Sequence, residues 1–378
     1  GGVDTTYGSM PASKVPNVQQ ASGRDLVPGS DTGYGYFGYN LRRVPFDDIT
    51  FRQALSFLWD DELWINRLNR GLVYEGDFAV PPGYAAVRPD LANDVDNLKD
   101  PRSQAFHFRQ SSPGVANIQG IRKFLTNNEM ITGEGGTYVG QEYPGSFTGV
   151  TASQTEPRHE YTFGPVKSSV LKNANTDKEI RVDGKTITEI HGRPLRYLMY
   201  PPQVVPELTE MDQEWADQMK KLGIPVKTEV LSFNSLLDTV YAKEDFDFYH
   251  MGWTSTSPFG VSSLYGIFHS DNADDHSEGG NDSAMLNNST GYGLFDYATS
   301  DDLISNARTE MDTQKRNDLT QKAVERIYLD QNYMVFDYNK IRWPVNTNEY
   351  DGFIENIPSP GGTYFPAQVM FGLYRKQG

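Results

Sequence analysis

Cysteine is absent from all 378 residues. Disulfides, thiolate metal sites and cysteine nucleophiles are therefore excluded. Also missing is any run of about 18 apolar residues, so no stretch reads as a membrane-spanning helix. No secretory leader is visible and the first residue is Gly1, so the expectation is a processed form or a C-terminal portion of a longer protein. Positive charge is scarce: 34 Lys and Arg face 50 Asp and Glu, a formal net charge of -16. Nucleic acid is an unsuitable partner on that balance, because its binding rests on Lys and Arg neutralising phosphates. Such acidity suits a protein kept soluble at high salt, and a halophilic origin is the expectation. The six histidines (His107, His159, His191, His250, His269 and His276) form no HExxH or similar spacing. No metal and no cofactor is expected from them.

What is present is a globular composition, 37% hydrophobic and 12% aromatic, in a chain long enough for two or three domains. Residues 33–38, "GYGYFG", spell Gly-x-Gly-x-x-Gly. A dinucleotide fingerprint needs a helix opening at its third glycine and small residues where the backbone meets the pyrophosphate. Here Tyr34, Tyr36 and Phe37 occupy the intervening positions and the next helix signal comes about ten residues later, judged by its cap and apolar spacing. The stretch reads instead as an aromatic β-strand, with Tyr34, Tyr36, Gly38 and Asn40 on one face and Gly33, Gly35, Phe37 and Tyr39 on the other. Its glycines mark places where something approaches the backbone closely.

Further along, Asp47 or Asp48 can cap a helix with the apolar stripe Phe51, Leu55 and Leu58. Asp60 or Asp61 can cap a second, stopped at Gly71. Residues 84–190 are polar and broken by Gly and Pro, and their few periods leave them unassigned. From 194 the pattern sharpens. "PLRYLMY" (194–200) is a strand, and Leu208, Met211, Trp215, Met219 and Leu222 step down a helix ended by Gly223. "PVKTEVL" (225–231), "NSLLDTVYAK" (234–243) and "FDFYHM" (246–251) add strand, helix and strand. This alternation predicts parallel strands with right-handed crossovers. Ligands bind such sheets beyond the C-terminal strand ends, which makes Trp253, followed by Thr254, Ser255, Thr256 and Ser257, the best site candidate. Amphipathic helices are predicted near 301–311 and 314–330, and a strand over 333–343.

Residues 270–292 form a polar loop. Its acidic part, 271–282, lacks the spacing and closing glutamate of a calcium loop and reads as solvated. Asn281, Asn287 and Asn288 open N-x-S/T sequons. No GxSxG elbow is present, and among so many carboxylates no catalytic pair is singled out.

Three blocks taken together resemble a known family. "GYFGYNLRRVPFDDITFRQALSFLWDDELW…GLVYEGDFAVPPG", "WADQMKKLGIPVKTEVLSFNSLLDTVYAKEDFDFYHMGW" and "YATSDDLISNARTEMDTQKRNDLTQKAVERIYLDQNYMVFDYN" are similar in order and spacing to the extracellular solute-binding proteins of family 5. These are the oligopeptide-, dipeptide- and nickel-binding components of ABC importers. The resemblance runs over roughly 30–350, with a weak patch near 100–190. It implies an α/β, periplasmic-binding-protein-like fold (type II, cluster C) of two lobes, seen here mostly as the second lobe with remnants of the first. Residues 1–39 would be a first-lobe segment and hinge strand, 40–345 the second lobe, and 346–378 a return to the first lobe. It further implies an extracytoplasmic, non-enzymatic receptor, cell-surface anchored through a region N-terminal to this chain. That receptor would be monomeric and would deliver a small solute, peptide or oligosaccharide, to a membrane permease. Trp253 matches the aromatic of the family's Gly-Trp motif, with Tyr36 and Gly38 beside the cleft and Thr254, Ser255 and Thr256 as further ligand contacts. Oligopeptide binders often carry an aspartate where this chain has Thr256, so a free peptide ammonium would lack its counter-charge, which is costly when desolvated. The alternative from another class is a secreted acidic hydrolase acting on polysaccharide.

Overall fold

The computed structural model describes residues 12–30, 33–76, 78–87, 118–127, 130–132, 137–139, 159–165, 178–202, 206–253, 260–272, 300–331, 333–346, 348, 350–351 and 374–375. A mixed sheet of seven strands organises them: β1 (Arg24–Ser30), β2 (Tyr34–Tyr39), β3 (Val73–Glu75), β4 (Leu195–Met199), β5 (Val226–Val230), β6 (Phe248–Trp253) and β7 (Tyr333–Asn346). They lie in the order β1-β7-β2-β6-β4-β5, and β3 also pairs with β7. The parallel strands predicted from strand–helix alternation are present, since β5 and β6 each run parallel to β4. Antiparallel β2 lies between β6 and β7. The strand spelled by "GYGYFG" is thus an interior strand of this sheet, paired on both sides.

Helix α1 (Ile49–Ser56) begins where Asp48 accepts a hydrogen bond from the Thr50 N–H. The other candidate cap, Asp47, is spent elsewhere. Asp60 accepts from the Leu63 N–H at the start of the following helical segment, and Gly71 beyond it adopts φ +72°. Helix α2 (Pro206–Leu222) buries the predicted stripe of Leu208, Met211, Trp215, Met219 and Leu222. It stops at Gly223, whose φ of 103° needs a residue without a Cβ. Helix α3 (Phe233–Leu237) is capped by Ser232 and continues as a wider helical turn to Ala242. Helices α4 (Ser300–Thr309) and α5 (Thr313–Asp330) complete the set used below, with Asp312 capping α5.

The long stretch left unassigned by sequence contains a three-stranded sheet of Tyr161–Pro165, Lys178–Val182 and Lys185–Thr186. Its tight turn is Asp183–Gly184, both at positive φ (50° and 77°), the arrangement a two-residue hairpin favours. His159 joins this sheet to the entry of α1. Its ring nitrogens lie 3.0 Å from Asp47 Oδ1 and 2.6 Å from Asp183 Oδ2, while its backbone N–H donates to Asp48. The Asp47 carboxylate, helped by Asp183 and opposed by burial, pushes the imidazole pKa up to about 9. A histidine with a raised folded-state pKa stabilises fully below its unfolded value and loses that contribution as pH rises through the folded one. Stability is therefore expected to fall by about 1–2 kcal/mol between pH 6.5 and 10, discounted because Asp183 is half exposed. Urea unfolding of wild type and His159→Gln across that range checks it. A wild-type curve parallel to that of the variant would show that the pair contributes nothing.

Candidate functional site

The two faces of β2 explain the glycine pattern. Phe37 points toward α2, where its ring lies 4.2 Å from Trp215 and 5.1 Å from Trp59. Tyr36 points to the other face and is fully buried. Its ring stacks on Tyr333 at 4.1 Å, meets Tyr249 edge-on at 6.1 Å, and lies parallel to the Trp253 indole at 6.2 Å. A Cβ on Gly38 would sit 2.5 Å from the Tyr249 ring, and one on Gly35 would sit 2.5 Å from the Asp337 carboxylate. The glycines thus make room for aromatic and carboxylate side chains of β6 and β7. With antiparallel neighbours on both sides and no helix at the third glycine, this strand lacks the setting of a dinucleotide fingerprint.

β6 ends at Trp253, which register places opposite Tyr34. The indole is half-buried, and its N–H is sealed from water with no hydrogen-bond partner among the described residues. An unpaired buried donor costs about 1–3 kcal/mol. Of the other predicted contacts, Tyr36 is brought beside Trp253, and Gly38 faces the Tyr249 ring. Thr254, Ser255 and Thr256 lie outside the described residues, as do most of the acidic loop and the sequons at Asn281, Asn287 and Asn288. Among the described residues, no group of three or more His, Asp or Glu is placed to hold a metal ion, and no helix is long and apolar enough to cross a membrane.

Sequence reading missed a buried polar cluster on the face of β6 opposite to Trp253. His250 on β6 places Nδ1 2.8 Å from Asp212 Oδ2 of α2 and 3.2 Å from the Tyr197 hydroxyl of β4. Tyr197 also donates to Asp212 Oδ1. The Tyr200 backbone N–H donates to His250 Nε2 at 3.2 Å. With Nε2 accepting, the ring proton sits on Nδ1, beside the Tyr197 hydroxyl oxygen and the Asp212 carboxylate. Burial, with Asp212 adjacent, pushes the Tyr197 phenol well above its ordinary value. The available signal was Asp212, an acid inside the apolar stripe of a helix.

At the opposite strand ends, Asp247 is the anchor. Its fully buried carboxylate accepts from Arg193 at 2.5 and 3.2 Å, Arg43 at 3.0 Å and the Arg196 N–H at 2.7 Å. Arg196 also reaches Glu229 and Asp245. This network ties the loop after β2 to β4 and β6, away from the Trp253 end.

No protein-family model matches the chain. It is 26% identical over 355 residues to the oligopeptide-binding protein AppA of Bacillus subtilis strain 168, covering 92% of this chain and 49% of AppA. The solved structure of AppA with a nonapeptide superposes with a TM-score of 0.62 at 17% identity, over 98% of this chain and 56% of that one. NikZ from Campylobacter jejuni with Ni(L-His) gives 0.60 at 13% identity, over 98% and 57%. The mannohexaose-bound periplasmic oligopeptide-binding protein of Thermotoga maritima gives 0.60 at 16%, over 100% and 59%. The chain thus shares the fold of these solved oligopeptide- and nickel-binding proteins over about half of their length, and is similar in sequence to one oligopeptide-binding protein. It spans about half the length of the curated relative it matches.

Proposed function

We propose that this chain is the ligand-holding part of an extracytoplasmic solute-binding protein, one that captures a peptide and delivers it to an ABC permease. The observation that carries the reading is Trp253. A half-buried indole stands at the C-terminal end of a strand in the parallel part of the sheet, backed by the Tyr36–Tyr333 stack. That is where open α/β sheets bind ligands, and an indole held by stacked rings is a platform whose position is fixed before the ligand arrives. Tyr36 supports Trp253 from behind, and Thr254, Ser255 and Thr256 follow it in sequence as hydroxyl donors. Kinship with a protein named for oligopeptide binding favours a peptide over the nickel complex or the mannohexaose held by the other two neighbours. The relatives are binding proteins, and the hydrolase alternative has no counterpart among them. Binding works by closure: contacts made only in the closed arrangement shift the population toward it, and the permease reads that state.

Trp253→Ala is expected to weaken peptide binding by about 30- to 300-fold, the range for an aromatic anchor worth about 2–3.4 kcal/mol. Titration calorimetry on the complete protein, with peptides, oligosaccharides and Ni(L-His) compared, measures it. Binding of sugars alone would overturn the peptide assignment. Release of a hydrolysed product would overturn the receptor reading.

A further inference from the structure

Four large hydrophobic side chains are exposed among the described residues: Tyr74, Val230, Phe233 and Met311. Two of them fall at the C-terminal end of β5. Val230 is its last residue, and Phe233, 53% exposed, opens α3 just beyond. The Phe233 ring lies 6.0 Å from that of Tyr200, the residue following β4. Tyr200 in turn packs its ring 4.7 Å from His250, which also accepts its backbone N–H. Tyr200, Phe233 and Trp253 thus mark the C-terminal ends of three neighbouring strands, β4, β5 and β6.

We propose that Phe233 and Tyr200 are specificity-determining residues of the Trp253 site, taking a large apolar side chain of an extended peptide, with His250 as the positioning residue that holds Tyr200. The inference rests on the peptide-receptor reading above. Chemistry favours an apolar side chain over a sugar. Both His250 nitrogens are already engaged, and Lys227 and Glu229 pair with each other. Phe233 and Val230 offer hydrocarbon alone and Tyr200 a ring with one hydroxyl, whereas a sugar needs several hydrogen-bonding groups around its stacked face. Spacing sets the ligand's length. β5 lies two strands from β6, about 10 Å at the usual interstrand distance, and an extended peptide rises about 3.3 Å per residue. The apolar side chain should therefore lie about three residues from the part of the peptide held at Trp253. Residue His250, buried between β4 and α2, makes the position of Tyr200 a property of the core rather than of a loop.

The test uses the complete protein and alanine-based pentapeptides with a single Phe or Leu moved along the chain, measured by calorimetry. In wild type, Phe at one position is expected to raise affinity about tenfold or more over the all-Ala peptide, an increment worth about 1.4 kcal/mol. Phe233→Ser should abolish that gain, so that the Phe-containing and all-Ala peptides bind the variant with about equal affinity; Phe233 is 53% exposed, and melting followed in parallel reports on its folding. His250→Asn should reduce the gain, with circular dichroism and melting followed in parallel; if that variant fails to fold, the Phe233→Ser arm decides. Persistence of the gain in Phe233→Ser overturns the inference. So does Phe233 dependence seen with oligosaccharides only, or a wild-type dimer in sedimentation that Phe233→Ser dissolves. Binding that responds to Trp253→Ala but not to Phe233→Ser sinks this inference alone. Absence of any binding sinks the receptor reading and this inference with it.

Discussion

Asp247→Ala is expected to destabilise the protein by about 3–5 kcal/mol, the cost of removing one partner of a buried ion pair. The carboxylate is fully buried, and its removal leaves Arg193 and Arg43 facing a vacated site, together with the Arg196 N–H. Burial alone would raise the Asp247 carboxyl, but those three donors outweigh it and hold the group below the usual carboxylate range. The sign for pH follows. A carboxylate with a depressed folded-state pKa contributes stability above its unfolded value of about 3.9, and loses it as pH falls through the folded one. Wild type should therefore weaken below about pH 4, by an increment that Asp247→Asn lacks. Urea unfolding at pH 7 and pH 3 measures both effects. A loss below about 1 kcal/mol for Asp247→Ala at pH 7 would show that the arginines find other partners, as surface ions do.

Trp215→Ala is expected to cost about 4–5 kcal/mol, the upper range for deleting a large aromatic from a packed core. Trp215 is fully buried on α2 and touches both strand and helix layers. Its ring lies 4.2 Å from Phe37 of β2, 5.8 Å from Phe248 of β6 and 5.9 Å from Tyr197 of β4. The indole N–H donates to the Leu55 carbonyl of α1 at 3.0 Å, so the substitution also orphans an acceptor. Trp215→Phe should retain most of the packing and lose less than half as much. Because Asp212 lies on the same helix face, Trp215→Ala should also loosen the His250 cluster, seen as faster amide exchange at Tyr200. Unchanged exchange there, with stability lost elsewhere, would separate the core from the binding edge.

Most of the large sheet and the helices packed on it was legible in the sequence because its signals are local. The stripe on α2, the stop at Gly223, the helix start at Asp47 or Asp48 and the alternation of β4, β5 and β6 with helices each follow from residues a few positions apart. β7 shows where locality ends. Its first half was visible as "YMVFDYNKIRW", yet the strand continues to Asn346 because residues 340–346 pair with β1, more than 300 positions earlier in the chain. The hairpin at Asp183–Gly184 lay inside a stretch without periods, and its strands are recognisable only by their pairing.

The candidate site divides in the same way. The sequence by itself determined that Trp253 ends a strand of the parallel unit, and that "GYGYFG" is a strand rather than a nucleotide loop. Both conclusions need only periodicity and the order of elements. Only the tertiary structure decided that Tyr36 backs Trp253, that Gly38 makes room for Tyr249, and that His250, Asp212 and Tyr197 meet beneath Tyr200. Those contacts join residues from separate strands and a helix. Their distances are set by sheet order and register, which hydrogen bonds between distant segments fix and no single segment encodes.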